Sequence, residues 1–246
     1  MWLSLFYVLL LCPGTPSIHG MQTASASAAV AAAAFTPAEL QIAHHYQRKF
    51  AVWMSVNETA RMIQHYSGVQ GAYYEFGMGG STHLACFFLP PAARLHAVDS
   101  SDEWVRKTAA DPCLKKMASE GRAEFKHVDI GPLGPWGGLP ADESSKHLWQ
   151  DYAASINTRK GAQVDLILVD GRFRVACVLR GALAFPEATI LVHDFWKPDH
   201  HVDYVQLLEV VDVLERTDTL LSLRLKPSAS RESILAMIEK NRWKPA

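Results

Sequence analysis

Hydrophobic and polar positions fall into three regimes along the chain. From Trp2 to Leu11 every position except Ser4 is apolar, and no Asp, Glu, Lys or Arg occurs before Glu39. Thr23 to Ala34 is almost entirely Ala and Ser, with no periodicity that a core could use, and reads as a linker. From Phe35 onward the pattern becomes that of a folded domain. Thr36-Pro37-Ala38-Glu39 has the form of a capping box with Pro at the first helical position, so a helix is predicted to start there. A second helix from about Asn57 to Tyr66 places Ala60, Met62 and Ile63 near one face and stops at Gly68.

After Gly68, short apolar runs alternate with helical stretches, the pattern of a parallel sheet covered on both faces. The predicted strands are Ala72–Phe76, Leu95–Val98, Ala123–Val128, Asp165–Val169, Ala188–Val192 and Leu220–Leu225. Helices are predicted over Ser81–Phe88, Asp102–Ala118, Lys146–Ile156, Arg174–Ala184, Asp203–Glu215 and Arg231–Lys240. The fold class is therefore α/β, a doubly wound, mostly parallel Rossmann-like sheet with helices at the N-terminal side, in one domain over residues 35–246. No internal repeat is apparent.

The leading apolar run is too short for a stable transmembrane span, since ten helical residues cover about 15 Å of a hydrocarbon core about 30 Å thick. Residues 1–34 are instead expected to be a targeting segment and linker. Pro13, Gly14 and Pro16 break the run, and the small residues of Ala24-Ser25-Ala26 or Ala26-Ser27-Ala28 suit a signal peptidase. The expected location is the secretory pathway or outside the cell after leader removal, with the cytoplasm as the alternative. In that pathway Asn57-Glu58-Thr59 would be an acceptor for N-glycosylation.

Composition narrows the partners. With 24 Lys+Arg against 25 Asp+Glu the chain lacks the basic surplus that nucleic-acid binding by phosphate neutralisation requires. Four Cys, with no C-x-x-C, are too few for a disulfide-built scaffold, and removal of Cys12 with a leader leaves an odd three. Cys86 and Cys177 are expected in the core and Cys113 exposed. His44-His45 and His200-His201 are adjacent pairs without metal-site spacing, so they read as surface histidines.

The chemistry concentrates at strand ends. Tyr73 to Thr82 runs strand, glycine turn, helix, and its glycines permit positive φ and close approach of backbone to a ligand. Glu75, two residues before Gly77, would repel a phosphate but suits a cationic or hydroxyl-bearing ligand. Asp99 ends the second strand, where a carboxylate either accepts both hydroxyls of a ribose or caps the next helix. Asp129 ends the third and is placed to accept from an adenine amino group. Three acids on successive strand ends point to one nucleoside-shaped ligand.

The stretch Glu75-Phe-Gly-Met-Gly-Gly-Ser-Thr82, with the acids of strands two and three, resembles the cofactor site of class I S-adenosylmethionine-dependent methyltransferases. Further blocks, Val169-Asp-Gly-Arg-Phe-Arg-Val-Ala-Cys177 and Val192-His-Asp-Phe195 among them, resemble a largely uncharacterised group of methyltransferase-like proteins. The resemblance implies that Gly77 and Gly79 contact the amino-acid part of S-adenosylmethionine, Asp99 its ribose and Asp129 its adenine, with Glu75 organising the glycine loop. Gly80 and Ser81 belong to the same cofactor-binding stretch. A seventh, antiparallel strand usual for this fold is not evident, because Arg231–Lys240 reads as a helix.

Methyl transfer needs donor and acceptor held in line and the acceptor's proton removed. At the ends of strands four and five, Asp170, His193 and Asp194 are the candidate catalytic residues, with His193 or Asp170 as base, and Arg172 and Arg174 the candidates for binding an anionic substrate group. A divalent cation between Asp170, Asp194 and His193 is conceivable but not favoured, because only two oxygen ligands are visible. The expected activity is methylation of a small-molecule or glycan-like acceptor. The alternatives are a non-catalytic binding module on the same fold and, more distantly, an NAD-dependent oxidoreductase, which would want glycine where Thr82 stands.

Overall fold

The computed structural model describes residues 34–134, 139–159, 161–197 and 202–245. The leader, most of the linker, Trp136-Gly137 and His200-His201 lie outside the described residues. No helix among the described residues is long and apolar enough to cross a membrane.

Seven strands form one sheet: β1 (Ala72–Phe76), β2 (Arg94–Asp99), β3 (Ala123–His127), β4 (Val164–Val169), β5 (Thr189–Val192), β6 (Val211–Thr217) and β7 (Leu220–Leu225). Their order is β3-β2-β1-β4-β5-β7-β6. The first five pair in parallel, while β7 runs antiparallel to both β5 and β6. Chain order reverses direction between β1 and β4, the place where an open α/β sheet leaves a crevice beyond its carboxyl edge.

Eight helices longer than one turn are described: α1 (Pro37–Phe50), α2 (Val56–Ser67), α3 (Gly80–Phe88), α4 (Asp102–Ala109), α5 (Pro112–Ser119), α6 (Trp149–Ala154), α7 (Arg174–Ala184) and α8 (Arg231–Asn241). The capping box at α1 forms as the sequence predicts: the Glu39 amide donates to Thr36 Oγ1 at 3.3 Å and the Thr36 amide to Glu39 Oε2 at 2.7 Å. A second box at α2, Ser55 with Glu58, starts that helix just before the predicted Asn57.

Central strands are covered on both faces, so their side chains alternate between two cores. Ile167 and Val169 join Phe76, Val178 and Ile190 on the α6–α7–α8 side, whereas Leu166 and Leu168 join Tyr73, Leu84 and Leu95 on the α2–α3–α5 side. β3, at the sheet's edge, has no fully buried position.

Three expectations are corrected. The helix predicted over Asp203–Glu215 is a 3-10 turn at Val205–Glu209 followed by β6, because Val211, Val213 and Thr217 are β-branched and the stretch pairs antiparallel with β7. The seventh strand therefore exists, and the antiparallel one is Leu220–Leu225. The helix predicted over Asp102–Ala118 is broken at Pro112, where Asp111 Oδ1 caps the amides of Cys113 (2.8 Å) and Leu114 (3.3 Å). That new start turns Cys113 toward α3, and Cys86 and Cys113 form a disulfide with Cα atoms 6.3 Å apart. Cys86, expected in the core, and Cys113, expected exposed, are both half-buried, whereas Cys177 is buried as predicted.

Candidate active site at the carboxyl edge of the sheet

The glycine turn between β1 and α3 is shaped by three different demands. Gly77 has φ 97°, and a Cβ there would lie 2.6 Å from the Gly171 amide nitrogen, so the β1 turn packs directly on the β4 turn. A Cβ on Gly80 would meet Phe50 O at 2.7 Å and Val52 Cα at 2.8 Å, so this glycine seats the loop between α1 and α2. A Cβ on Gly79 would meet nothing within 4 Å. Of the three, Gly79 alone faces open space.

That space is a cavity of about 410 Å³. Its floor is the turn Gly77–Ser81, the β2 end at Asp99 and Ser100, and the β4 end at Asp170–Arg172. Phe50–Met54 form its roof, and Trp104 and Lys107 of α4, His83 of α3 and Tyr152 of α6 complete the wall. The volume sits toward the lower end of the roughly 300–1,000 Å³ usual for small-molecule sites.

The three strand-end acids are not equivalent. Asp99 borders the cavity while accepting the Met78 amide at 2.8 Å and the Ser101 amide at 2.7 Å, so it shapes both the glycine turn and the approach to α4. Burial, opposed by those hydrogen bonds, raises its pKa. Glu75 lies behind the turn, fully buried, and accepts a hydrogen bond from the Ser81 hydroxyl. Burial pushes its pKa to about 8, against hydrogen bonds from Ser81 and Thr82. Its Oε2 has no hydrogen-bond partner among the described residues. Asp129 is exposed, accepts the Gly131 amide at 2.8 Å, and is not among the described residues lining the cavity. The expectation that all three border one hollow therefore holds for Asp99 alone: β1 is buried on both faces, which hides Glu75, and β3 is an edge strand, which turns Asp129 to water.

At the ends of β4 and β5 the candidate catalytic residues form a partly buried ion cluster around the buried His193. His193 Nδ1 lies 3.0 Å from Asp170 Oδ1 and its Nε2 lies 3.6 Å from Glu58 Oε2. Arg174 pairs with Asp170 at 3.1 Å and Asp194 at 3.4 Å, and donates to His193 O at 2.6 Å. Lys197 approaches Asp194 at 3.8 Å. Glu58 Oε1 accepts from the Thr219 amide and hydroxyl at 2.8 and 2.7 Å and from the Leu220 amide at 3.0 Å. Asp194 is held at φ 59° and Phe173 at φ 53°, left-handed conformations that non-glycine residues adopt at a cost.

Electrostatics set the roles within this cluster. Burial works against a charged His193, but Asp170, Glu58 and Asp194 outweigh it and raise its pKa to about 10. Burial likewise works against charge on Glu58, yet hydrogen bonds from His193 and Thr219 bring it down to about 2. Asp170, opposed by burial and favoured by His193 and Arg174, is also lowered. The carboxylates around His193 favour its charged form, which works against a role as general base. Arg174 pairs with two carboxylates and donates to a carbonyl, and it is not among the described residues lining the cavity. Only Asp170 and Arg172 of the five candidate catalytic and substrate-binding residues are among the described residues lining the cavity.

Asp170, His193 and Asp194 each offer a ligand atom within 4.8 Å of the others, the arrangement expected of a cation site. A divalent cation there would have to displace the Arg174 guanidinium, which pairs with both carboxylates.

Reading the chain missed the cavity's roof, Trp104, Lys107 and Glu58. The roof had a signal, the run Phe50 to Met54 with no charged side chain at the end of α1 and before α2. Glu58 had one too, as the fourth residue of the Ser55 capping box.

No family model and no curated protein matches the sequence. Solved structures do. A methyltransferase-like protein from Silicibacter pomeroyi DSS-3 is 25% identical, with 79% of this chain and 97% of that one covered and a TM-score of 0.64. An O-methyltransferase from Bacillus cereus, solved with SAH, is 13% identical over 79% of this chain and 94% of its own, with a TM-score of 0.50. The chain has the methyltransferase Rossmann-like fold.

Proposed function

We propose that this protein is an S-adenosylmethionine-dependent methyltransferase acting on a small-molecule acceptor. The observation that carries the reading is the open space at Gly79 beside Asp99, in a cavity at the carboxyl edge of this particular sheet. Gly79 and Asp99 would hold the donor's amino-acid and ribose parts. Gly77 and Gly80 shape the turn, and Glu75 with Ser81 braces it from behind. Asp129 is outside the cavity's described lining.

Bound there, the donor would supply a methyl group on a sulfonium, passed in line to the acceptor as the carbon–sulfur pair stays on sulfur. Asp170 meets the acceptor end. Its depressed pKa makes it a weak proton acceptor, so it orients the nucleophile by accepting a hydrogen bond and balances positive charge, and the acceptor's proton leaves to water at the open mouth. His193, Asp194 and Arg174 position Asp170. Arg172 also lines the cavity and suits an anionic group on the acceptor.

Calorimetric titration with S-adenosylmethionine, S-adenosylhomocysteine and NAD tests this reading. Binding of the first two alone is expected; binding of NAD alone would overturn it. A second reading, a non-catalytic binding module, is favoured by the neutralised ion cluster, and binding of both donor forms without turnover on any acceptor supports it.

The proposed location is the secretory pathway or beyond. Support comes from the Cys86–Cys113 disulfide, a bond that persists in oxidising compartments. Free thiols at both positions in protein taken from cells, by differential alkylation, would favour the cytoplasm instead.

A further inference from the structure

Of the chain's three asparagines only Asn57 is followed two residues later by Ser or Thr. The fold divides that triplet between two environments. Asn57 is exposed in the first turn of α2, and its Nδ2 lies 3.4 Å from Oδ2 of Asp218, itself exposed. Glu58 and Thr59 are 3% and 0% exposed. Glu58 accepts from Thr219 and Leu220, and the Thr59 hydroxyl donates to Ser55 O at 2.8 Å.

Helix geometry separates the two ends of the triplet further. At 3.6 residues per turn, residues two apart point about 200° from one another, so Asn57 and Thr59 occupy opposite sides of α2. An enzyme that must read the hydroxyl while it modifies the amide has no single face of the finished helix to hold. In an extended chain residues i and i+2 lie on the same side, and both groups come within one enzyme's reach.

The finished fold can nevertheless carry the product. A sugar bonded to Nδ2 replaces one amide hydrogen and leaves the other for Asp218. It also leaves the packed side of α2 untouched, because Ala60, Met62 and Tyr66 are buried while Asn57 is not.

Resting on the secretory location proposed above and not on the methyltransferase reading, we infer that Asn57 is a site of N-linked glycosylation, filled while α2 is unfolded and closed once that helix packs. The donor is a lipid-linked oligosaccharide. Nδ2 of Asn57 bonds to C1 of its first sugar, the C1–O bond to the lipid pyrophosphate breaks with its electron pair kept on oxygen, and the displaced amide proton goes to that pyrophosphate. The protein carries one such glycan, since no other asparagine heads the triplet.

The test has two arms, both on the full chain. In the first, the chain is synthesised with its own leader beside microsomes of the endoplasmic reticulum, and added protease marks the molecules that have entered. Protected molecules should run as one larger species, an endoglycosidase should return them to the unmodified mobility, and Asn57→Gln should abolish the shift. In the second, protein folded in a host without this modification is incubated with oligosaccharyltransferase and a lipid-linked oligosaccharide. The same protein, alkylated at its cysteines while unfolded and then diluted from urea, is treated in parallel. The unfolded chain should be modified at least about tenfold faster, because the folded one reacts only through its rarely opened form. Entry without a shift, a shift that survives in Asn57→Gln, or equal rates for folded and unfolded protein would each overturn the inference and leave the location standing. Failure to enter the microsomes would remove the location, and the inference with it.

Discussion

Two places on the same sheet edge, a few residues apart in strand order, are built on opposite plans. Beyond β1 and β2 the chain uses glycine to leave room: Gly79 faces a hollow, and the one buried acid behind it, Glu75, is pushed toward its neutral form. Beyond β4 and β5 it fills the room with charge, three carboxylates facing one guanidinium and one imidazolium. The contrast teaches that acids at strand ends carry no common meaning. Their role follows from whether a cation of the chain itself has already reached them.

The sharpest way to break that contrast is to unbalance the filled side. Arg174→Met leaves Asp170 and Asp194 short of their shared partner, and a loss of about 3–5 kcal/mol is expected in urea unfolding, the usual consequence of breaking a buried ion pair. On the open side Gly77→Ala forces a side chain onto the Gly171 backbone at positive φ. It should cost about 2 kcal/mol or more by the same measurement. Gly79→Val inverts the outcome. Thermal melting should shift by no more than about 2 °C, because nothing lies within 4 Å of the new Cβ, while affinity for S-adenosylhomocysteine drops at least about tenfold.

The smallest effect expected is in pH dependence, where Glu58 acts in one direction and His193 and Glu75 in the other. Glu58, lowered from 4.5 to about 2, binds its proton less tightly when folded, so its stabilisation is complete above pH 4.5 and fades as pH falls toward 2. His193, raised from 6.5 to about 10, contributes fully below pH 6.5 and loses that contribution as pH rises through 10. Glu75, raised from 4.5 to about 8, holds its proton more tightly when folded, so stability declines as pH rises from 4.5 to 8. Glu75→Gln should therefore flatten the change in urea midpoint between pH 5 and pH 8. A slope identical to the parent's would mean that Glu75 does not titrate in that window.

What could be read from the chain follows the same physics. β1, β2, β4 and β5 were legible because central parallel strands are short apolar runs bounded by Gly or Asp. β6 was not, since Val211-Asp-Val-Leu-Glu-Arg216 serves an amphipathic helix as well as an edge strand, and pairing with β7 decided it. In the site, the glycine turn and Asp99 were readable as local sequence. The fate of His193 and Arg174 was not, because their partners come from elements distant in the chain, Glu58 at the start of α2 among them. Asp129 misled for a related reason: its place at a strand end is local, but its exposure is set by β3 lying at the sheet's border.

The Glu58 contacts have a consequence for biosynthesis. Three of the hydrogen bonds that satisfy this carboxylate come from Thr219 in the β6–β7 turn and Leu220 at the start of β7, and its charge faces His193. During translation α2 and the first five strands emerge well before that turn does. The buried carboxylate therefore waits, half-satisfied, for the last hairpin to dock. A ribosome-stalled chain ending before Thr219 should display the nascent sheet to protease or chaperone, and completion of the hairpin is the event that seals it.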